Sequence, residues 1–313
     1  MTPLDTPVDC ARWIHEIGRG HAARALSPVD ARSLADAMFA GAVPQLELGA
    51  ILLAYRLKGE TLSELTEFMS ALARHVGRLD AAADARPVVL PTYNGARRLP
   101  NLTALVALLL RREGVPVLLH GPPPGQGFGR VTTAAVLAAL GIAAAASLDD
   151  AQRRLAGEGL AYLPLERLSP ALAALLALRE RMGVRSVAHT LAKLIDPFGG
   201  RGVRVVAVTH PDYLARMREY LAATAADALL MRGTEGEPFA HPWRDARLDA
   251  FEQGVPRTCF AAAMPQSPPV ELPAATDAET TAAWIGRALE GDVPIPRAIE
   301  NQVVCCLRGA RQP

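Results

Sequence analysis

Through roughly the first eighty residues, apolar positions recur at helical spacing, and the gaps between them carry helix start and stop signals. Ser27 followed by Pro28 predicts a helix cap with proline in the first turn, and Thr61 with Glu64 predicts a capping box. Gly41 and Pro44 predict the end of one helix and the opening of the next. Segment 46–59, LELGAILLAYRLKG, is apolar on more than one face, which predicts a helix wedged between neighbours or seated in a subunit contact.

Beyond DAAADAR, read as a linker at 80–86, the pattern changes to short apolar runs at 88–91, 115–120, 161–165, 203–209 and 228–232, alternating with helical segments. Such alternation predicts an α/β fold with a mostly parallel central sheet covered by helices on both faces. A helical stretch at 170–194 interrupts the series and is expected to cross back to the small domain. The predicted organisation is a small N-terminal helical domain at 1–79, with 168–194 packing on it, and a large α/β domain at 80–313. MPQSPPVELP at 264–273 reads as an ordered but irregular surface connection, and the basic tail at 307–313 is assigned no role.

Composition narrows the class. With 313 residues, 50% of them hydrophobic and only 5% aromatic, the chain can bury a full core, and its wealth of alanine and leucine opposes an all-β sandwich. The formal charge of +1 gives no prior for nucleic acid, so any such case rests on where the arginines sit. Cys10, Cys259, Cys305 and Cys306 lack C-x-x-C spacing and read as small buried hydrophobes in a reducing compartment. The start MTPLDTPVDCARW lacks the basic and apolar regions of a signal peptide, and apolar runs break off before about 18 residues, so a soluble, cytoplasmic protein without a membrane span is expected.

Candidate chemistry is sparse. In HGPPPGQGFGRV the glycines Gly125, Gly127 and Gly129 lack dinucleotide spacing, and Pro122, Pro123 and Pro124 remove donors that a phosphate cradle uses, so this reads as a stiff strand-to-helix connection. His120 and Gly121 end a predicted strand, where α/β sheets place ligands, although a lone histidine there is more often structural. Glu235 and Glu237 in RGTEGEP read either as a divalent-metal pair or, more commonly, as a solvated turn. The arginines say more. Arg97 and Arg98 lie in PTYNGARRLPNLT, Arg179, Arg181 and Arg185 cluster in LRERMGVR, and Arg201 and Arg204 flank a glycine turn. After a break at Gly183, the four-residue steps from Arg185 to His189 to Lys193 predict a winding basic stripe on a helix, for which a solvated face is the alternative.

Long strings carry a resemblance: WIHEIGRG, LELGAILLAYRLKGE, YNGARRLPNLT, RMGVRSVAHTLAKL, LLMRGTEGE and DAETTAAWIGRALEG. Through nearly its whole length the chain resembles anthranilate phosphoribosyltransferase and, more closely, the YbiB-type nucleic-acid-binding relatives of that enzyme. Where the enzymes carry G-T-G-G-D, this chain has Pro91, Thr92, Tyr93, Asn94 and Gly95, while Asn101, Leu102 and Thr103 keep the following N-I-S-T element in register. The enzymes' K-H-G-N becomes Leu119, His120, Gly121 and Pro122, and their magnesium-holding Asp-Glu pair falls on or beside Glu237 and Pro238. Arg179 matches an arginine that contacts anthranilate, but the histidine ten positions earlier is Ser169; further on, Lys193 replaces a proline and His189 an asparagine.

The resemblance implies a homodimer formed through small-domain helices, with acids withdrawn from the old cleft and cations kept. It implies a protein that has lost phosphoribosyl transfer and binds nucleic acid without sequence preference, read as single-stranded DNA with RNA as the other candidate. Arg97, Arg98, Arg181, Arg185 and Lys193 are the expected phosphate contacts, with Arg201 and Arg204 further out. Thr92, Tyr93, Asn94, Asn101, Thr103, His120, Gly121 and Arg179 are the expected remains of the substrate cleft, Tyr93 either stacking on a base or packing under the loop. No catalytic residue, metal or cofactor is expected. The alternatives are a transferase of altered substrate relying on His120, Asn101, Thr103, Arg179 and Mg²⁺, and a scaffold that engages another protein.

Overall fold

The computed structural model describes residues 9–81, 86–127, 129–264 and 269–311. The expectations for the N-terminal start, the linker at 80–86, the connection at 264–273 and the tail at 307–313 lie partly outside the described residues, as does Phe128 of the glycine-rich connection. The chain divides into two compact units: Met1–Val76 with Ser169–Ile195, and Gly77–Leu168 with Asp196–Pro313.

The first unit is helical, with α1 Cys10–Ile17, α2 Pro28–Phe39, α3 Gln45–Lys58 and α4 Leu62–Leu72. Ser27 caps α2 through its hydroxyl with Pro28 at the first position, and the capping box of Thr61 and Glu64 opens α4. Glu64 does more than cap. Fully buried, it accepts the Leu26 N–H at 2.9 Å, the Tyr55 hydroxyl at 3.0 Å and the Lys58 ammonium at 2.6 Å, so one ion pair ties α3 and the approach to α2 onto α4. Segment Ser169–Ile195 adds the helices Pro170–Ala177, Arg179–Met182 and Ala188–Ala192, the second stopped by Gly183 in the left-handed conformation. The continuous basic stripe expected there is corrected: the helix holds only five residues, Arg185 precedes it and Lys193 is its C-cap.

The second unit carries a seven-stranded sheet in the order β3-β2-β1-β4-β5-β6-β7. Strands β1 Val88–Pro91, β2 Val117–Gly121, β3 Leu160–Pro164, β4 Val203–Val208 and β5 Ala228–Arg232 are parallel and almost entirely buried, matching the five apolar runs. An antiparallel hairpin, β6 Leu248–Glu252 and β7 Val255–Phe260, extends the sheet beyond the predicted strands. Its turn uses Gln253 and Gly254, both at positive φ. Leu102, Leu105, Val106 and Leu110 from helix Thr103–Arg112 and its N-cap pack with Ile285, Ile299 and Cys306 in the core beside the sheet. Among the described residues no helix is long and apolar enough to cross a membrane. The four cysteines are free thiols, Cys259 half-buried and the others buried.

Candidate functional site

Parallel strands deliver their C-terminal ends, and the loops that follow, to one edge of the sheet. Pro91 of β1 lies in register with His120 of β2, so the loop at 92–102 and the Gly121 turn emerge side by side. Close approach requires a glycine at 121: a Cβ there would meet the Thr92 carbonyl oxygen at 2.1 Å and the Tyr162 hydroxyl at 2.7 Å.

The loop is anchored by two carboxylates from the segment after β5. Glu237, fully buried, accepts the backbone N–H groups of Asn94 at 2.7 Å and Gly95 at 3.0 Å on one oxygen. Its other oxygen takes the hydroxyls of Thr92 and Thr133, the latter at 3.0 Å, with the Asn101 amide at 3.4 Å. Glu235 then accepts the N–H groups of Arg97 at 3.2 Å, Arg98 at 2.8 Å and Leu99 at 3.1 Å, and lies 3.4 Å from the Arg130 guanidinium. Glu235 adopts a left-handed backbone with φ of 53°, a conformation a non-glycine residue holds only when its surroundings compensate. The compensation is visible: Gln302, itself buried, donates to Pro238 O at 2.8 Å and accepts from Ala240 N at 2.7 Å, fixing the chain just beyond.

Two expectations are corrected by this geometry. Glu237 is not part of a solvated turn, and the acids are not withdrawn from the loop; they fill it. Five backbone donors of the kind that bind anions are spent on the protein's own carboxylates.

The remaining cleft residues pack inward. Tyr93 is half-buried, its hydroxyl hydrogen-bonded to His120 Nδ1 and its ring edge-on to the imidazole at 5.4 Å. Burial pushes the His120 pKa down to about 3, so the ring is neutral, and its Nε2 has no hydrogen-bond partner among the described residues. Asn101 accepts the Thr103 N–H at 3.2 Å and donates to Val131 O at 3.1 Å, which opens the helix Thr103–Arg112.

The cations divide into kinds. Arg97 and Arg98 are exposed and form no ion pair with a described residue. Arg201 is also exposed. Arg204 is corrected as an outward phosphate contact: it sits in β4, 8% exposed, and hydrogen-bonds Tyr220. In the helical unit, exposed Arg181 donates to Gln45 Oε1 at 3.1 Å, while Arg179, Arg185 and Lys193 are half-buried. The last three share an electrostatic neighbour. Burial first, then Arg185 and Arg179 and, more weakly, Lys193, drive the His189 pKa down to about 3, and His189 Nδ1 accepts the Ser186 N–H at 3.2 Å.

A helical unit and an α/β unit built on a mostly parallel sheet, with a polar loop at the strand ends, are the architecture of the anthranilate phosphoribosyltransferases. The chain aligns with the enzyme from Thermus thermophilus at a TM-score of 0.75 and 23% identity, covering 97% of this chain and 89% of that one. Residues 12–76 match the helical bundle domain of the glycosyl transferase family. In sequence, the anthranilate phosphoribosyltransferase of Rhodospirillum rubrum is 28% identical over 273 residues, 86% of this chain and 77% of that protein. Protein YbiB of Escherichia coli K12 is 40% identical over 303 residues, 96% of this chain and 94% of its own length. The chain belongs to the YbiB group of this anthranilate phosphoribosyltransferase-like family.

Proposed function

We propose that this chain binds nucleic acid in the cytoplasm as a homodimer, through phosphate contacts of little sequence preference, and does not transfer phosphoribose. The observation that carries this reading is the division within loop 92–99: its backbone donors are held by Glu235 and Glu237, while Arg97 and Arg98 are exposed. A diphosphate entering the loop would have to displace charge-assisted hydrogen bonds, each worth about 1.5–3 kcal/mol, and lie against two fixed carboxylates. The same carboxylates do not suit magnesium, because Glu237 already accepts from two backbone amides, two hydroxyls and a side-chain amide.

A polyanion needs no such cradle. Surface guanidiniums neutralise phosphates one by one and release condensed counterions. Arg97 and Arg98 supply that chemistry in the α/β unit, and Arg179, Arg181, Arg185 and Lys193 concentrate positive charge in the helical unit. The homodimer rests on α3, which leaves Leu46 at 83%, Leu57 at 77% and Leu53 at 44% exposure, a face of the kind that a second copy covers.

Titration of a labelled single-stranded oligonucleotide across a salt series tests the reading. Affinity falls steeply with salt, and the R97A/R98A double variant binds every sequence more weakly with a slope smaller by about 1.4. Salt-insensitive binding, or a double variant equal to the parent, overturns it. The kinship with transferases supports a second reading, a phosphoribosyltransferase of altered substrate. Pyrophosphate release from phosphoribosyl pyrophosphate with Mg²⁺ and a panel of amines, above a control without protein, reverses the order.

A further inference from the structure

Beside the C-terminal end of β5 lies a cavity of about 370 Å³ whose floor is apolar, formed by Leu214, Leu230, Met231 and Ala246. Four arginines line it: Arg218, Arg232, Arg244 and Arg247. One acid, Asp249, shares the lining. It is buried, and although burial pushes its carboxyl up, hydrogen bonds from Arg218 at 2.5 Å and Arg247 at 2.8 Å hold it below the usual carboxylate range. Asp249 thus compensates part of the charge of those two guanidiniums.

Arg232 and Arg244 are exposed and form no ion pair with a described residue. Both line the same cavity as His241, whose pKa is lowered by burial first and then by Arg244 and Arg232. His241 is held in place as its Nδ1 accepts the Trp243 N–H at 3.3 Å, and Trp243 is fixed through its indole N–H to Val270 O at 2.9 Å.

We propose that this cavity binds a nucleoside monophosphate unit, its aromatic base on the apolar floor and its phosphate between Arg232 and Arg244. The size falls in the range of small-molecule sites, roughly 300–1,000 Å³, which combine apolar linings with a few placed polar groups. Charge selects the anionic group. A phosphate monoester carries about −1.5 to −2 at neutral pH and matches two guanidiniums, whereas a carboxylate leaves one of them unmatched. Guanidinium planes also stack on bases, so Arg218 and Arg247 at the wall suit an aromatic ring. The unit is a free nucleotide or the end residue of a single strand that carries a terminal phosphate. The site uses none of the residues of loop 92–99 and stands or falls apart from them.

Calorimetric titration with AMP, adenosine and inorganic phosphate at low salt tests the assignment. AMP is expected to bind at least tenfold tighter than either fragment, and R232A/R244A to lose at least tenfold in AMP affinity with an unchanged melting temperature. The same double variant retains binding of an oligonucleotide through Arg97 and Arg98, whereas R97A/R98A retains AMP. A 5′-phosphorylated trinucleotide that binds more tightly than AMP, with the gain lost in R232A/R244A, marks a strand end as the source; equal affinities mark the free nucleotide. Absence of AMP binding, AMP no tighter than phosphate, or a double variant equal to the parent overturns the proposal.

Discussion

The carboxylate of Glu235 accepts the backbone N–H of Arg98 at 2.8 Å, bridging 137 positions of sequence. The loop therefore has an internal anion bound to its main chain at residues whose side chains are exposed cations. Main chain and side chain of Arg98 have separate tasks, one holding the loop and the other available to solvent.

Replacing Glu235 with alanine should free that main chain. The amides of Arg97, Arg98 and Leu99 lose their shared acceptor, at a local cost of about 1.5–3 kcal/mol for hydrogen bonds to a charged group. Hydrogen exchange at the amides of residues 97–99 should accelerate by one to two orders of magnitude, on the order of what that energy implies, while strands β1 and β2 keep their protection. Unchanged exchange at those amides would show that the anchor is dispensable.

Glu237 should matter more to global stability. It is fully buried, and Glu237→Ala removes the acceptor of the Asn94 and Gly95 amides and leaves the Thr92 and Thr133 hydroxyls their bond to each other. We expect a loss of about 3–5 kcal/mol in urea unfolding. Glu237→Gln should recover part of the loss, because its amide oxygen keeps the two backbone donors and its NH₂ group meets hydroxyls that can rotate to accept. Two variants as stable as the parent would be incompatible with the network described.

How much of this was legible in the sequence depends on the range of the interaction. Ser27, Thr61 and Glu64 act within three or four positions, and their side chains declare the helix starts. The five parallel strands declare themselves because burial on both faces demands unbroken apolar runs. Strands β6 and β7 went unread: β7 is exposed over most of its length and contains Pro256, and the turn at Gln253 and Gly254 is a signal that could have marked the hairpin. Glu235 and Glu237 were illegible because their partners lie more than a hundred positions away, and an acid beside glycine looks the same whether solvated or buried. The resemblance aligned the acids but not their hydrogen bonds. Arg204 misled for a related reason, since an arginine in a buried strand reads in sequence like one beside a turn.

The exposed face of α3 gives a test of assembly. Leu46 and Leu57 are more than three-quarters exposed, so substitution by glutamate leaves the helical unit's own packing intact and changes its stability by less than about 0.5 kcal/mol. Light scattering coupled to size exclusion should show the parent at twice the chain mass and L46E/L57E at the chain mass. A parent that runs as a monomer, or a double variant that stays dimeric, removes α3 from the interface.

Two histidines, His120 buried and His189 half-buried, set an acid limit on stability. His120 in the α/β unit is depressed to about 3 by burial, and His189 in the helical unit to about 3 by burial and then by Arg185 and Arg179. In the unfolded chain both titrate near 6.5. The folded value is the lower one, so below pH 6.5 the unfolded state binds protons that the native state refuses. Their contribution is complete above pH 6.5 and drains away as pH falls towards 3, at a slope of up to about 1.4 kcal/mol per pH unit for each histidine. Between pH 6.5 and 4.5 most carboxylates remain ionised, so the decline in that window belongs chiefly to histidines. His120→Asn keeps an acceptor for the Tyr93 hydroxyl but removes one titrating group. Urea midpoints measured from pH 7.5 to 4.5 should fall for the parent and fall less steeply for H120N. A midpoint flat across that range, or a variant with the parent's slope, would mean that His120 takes up its proton as readily in the folded chain as in the unfolded one.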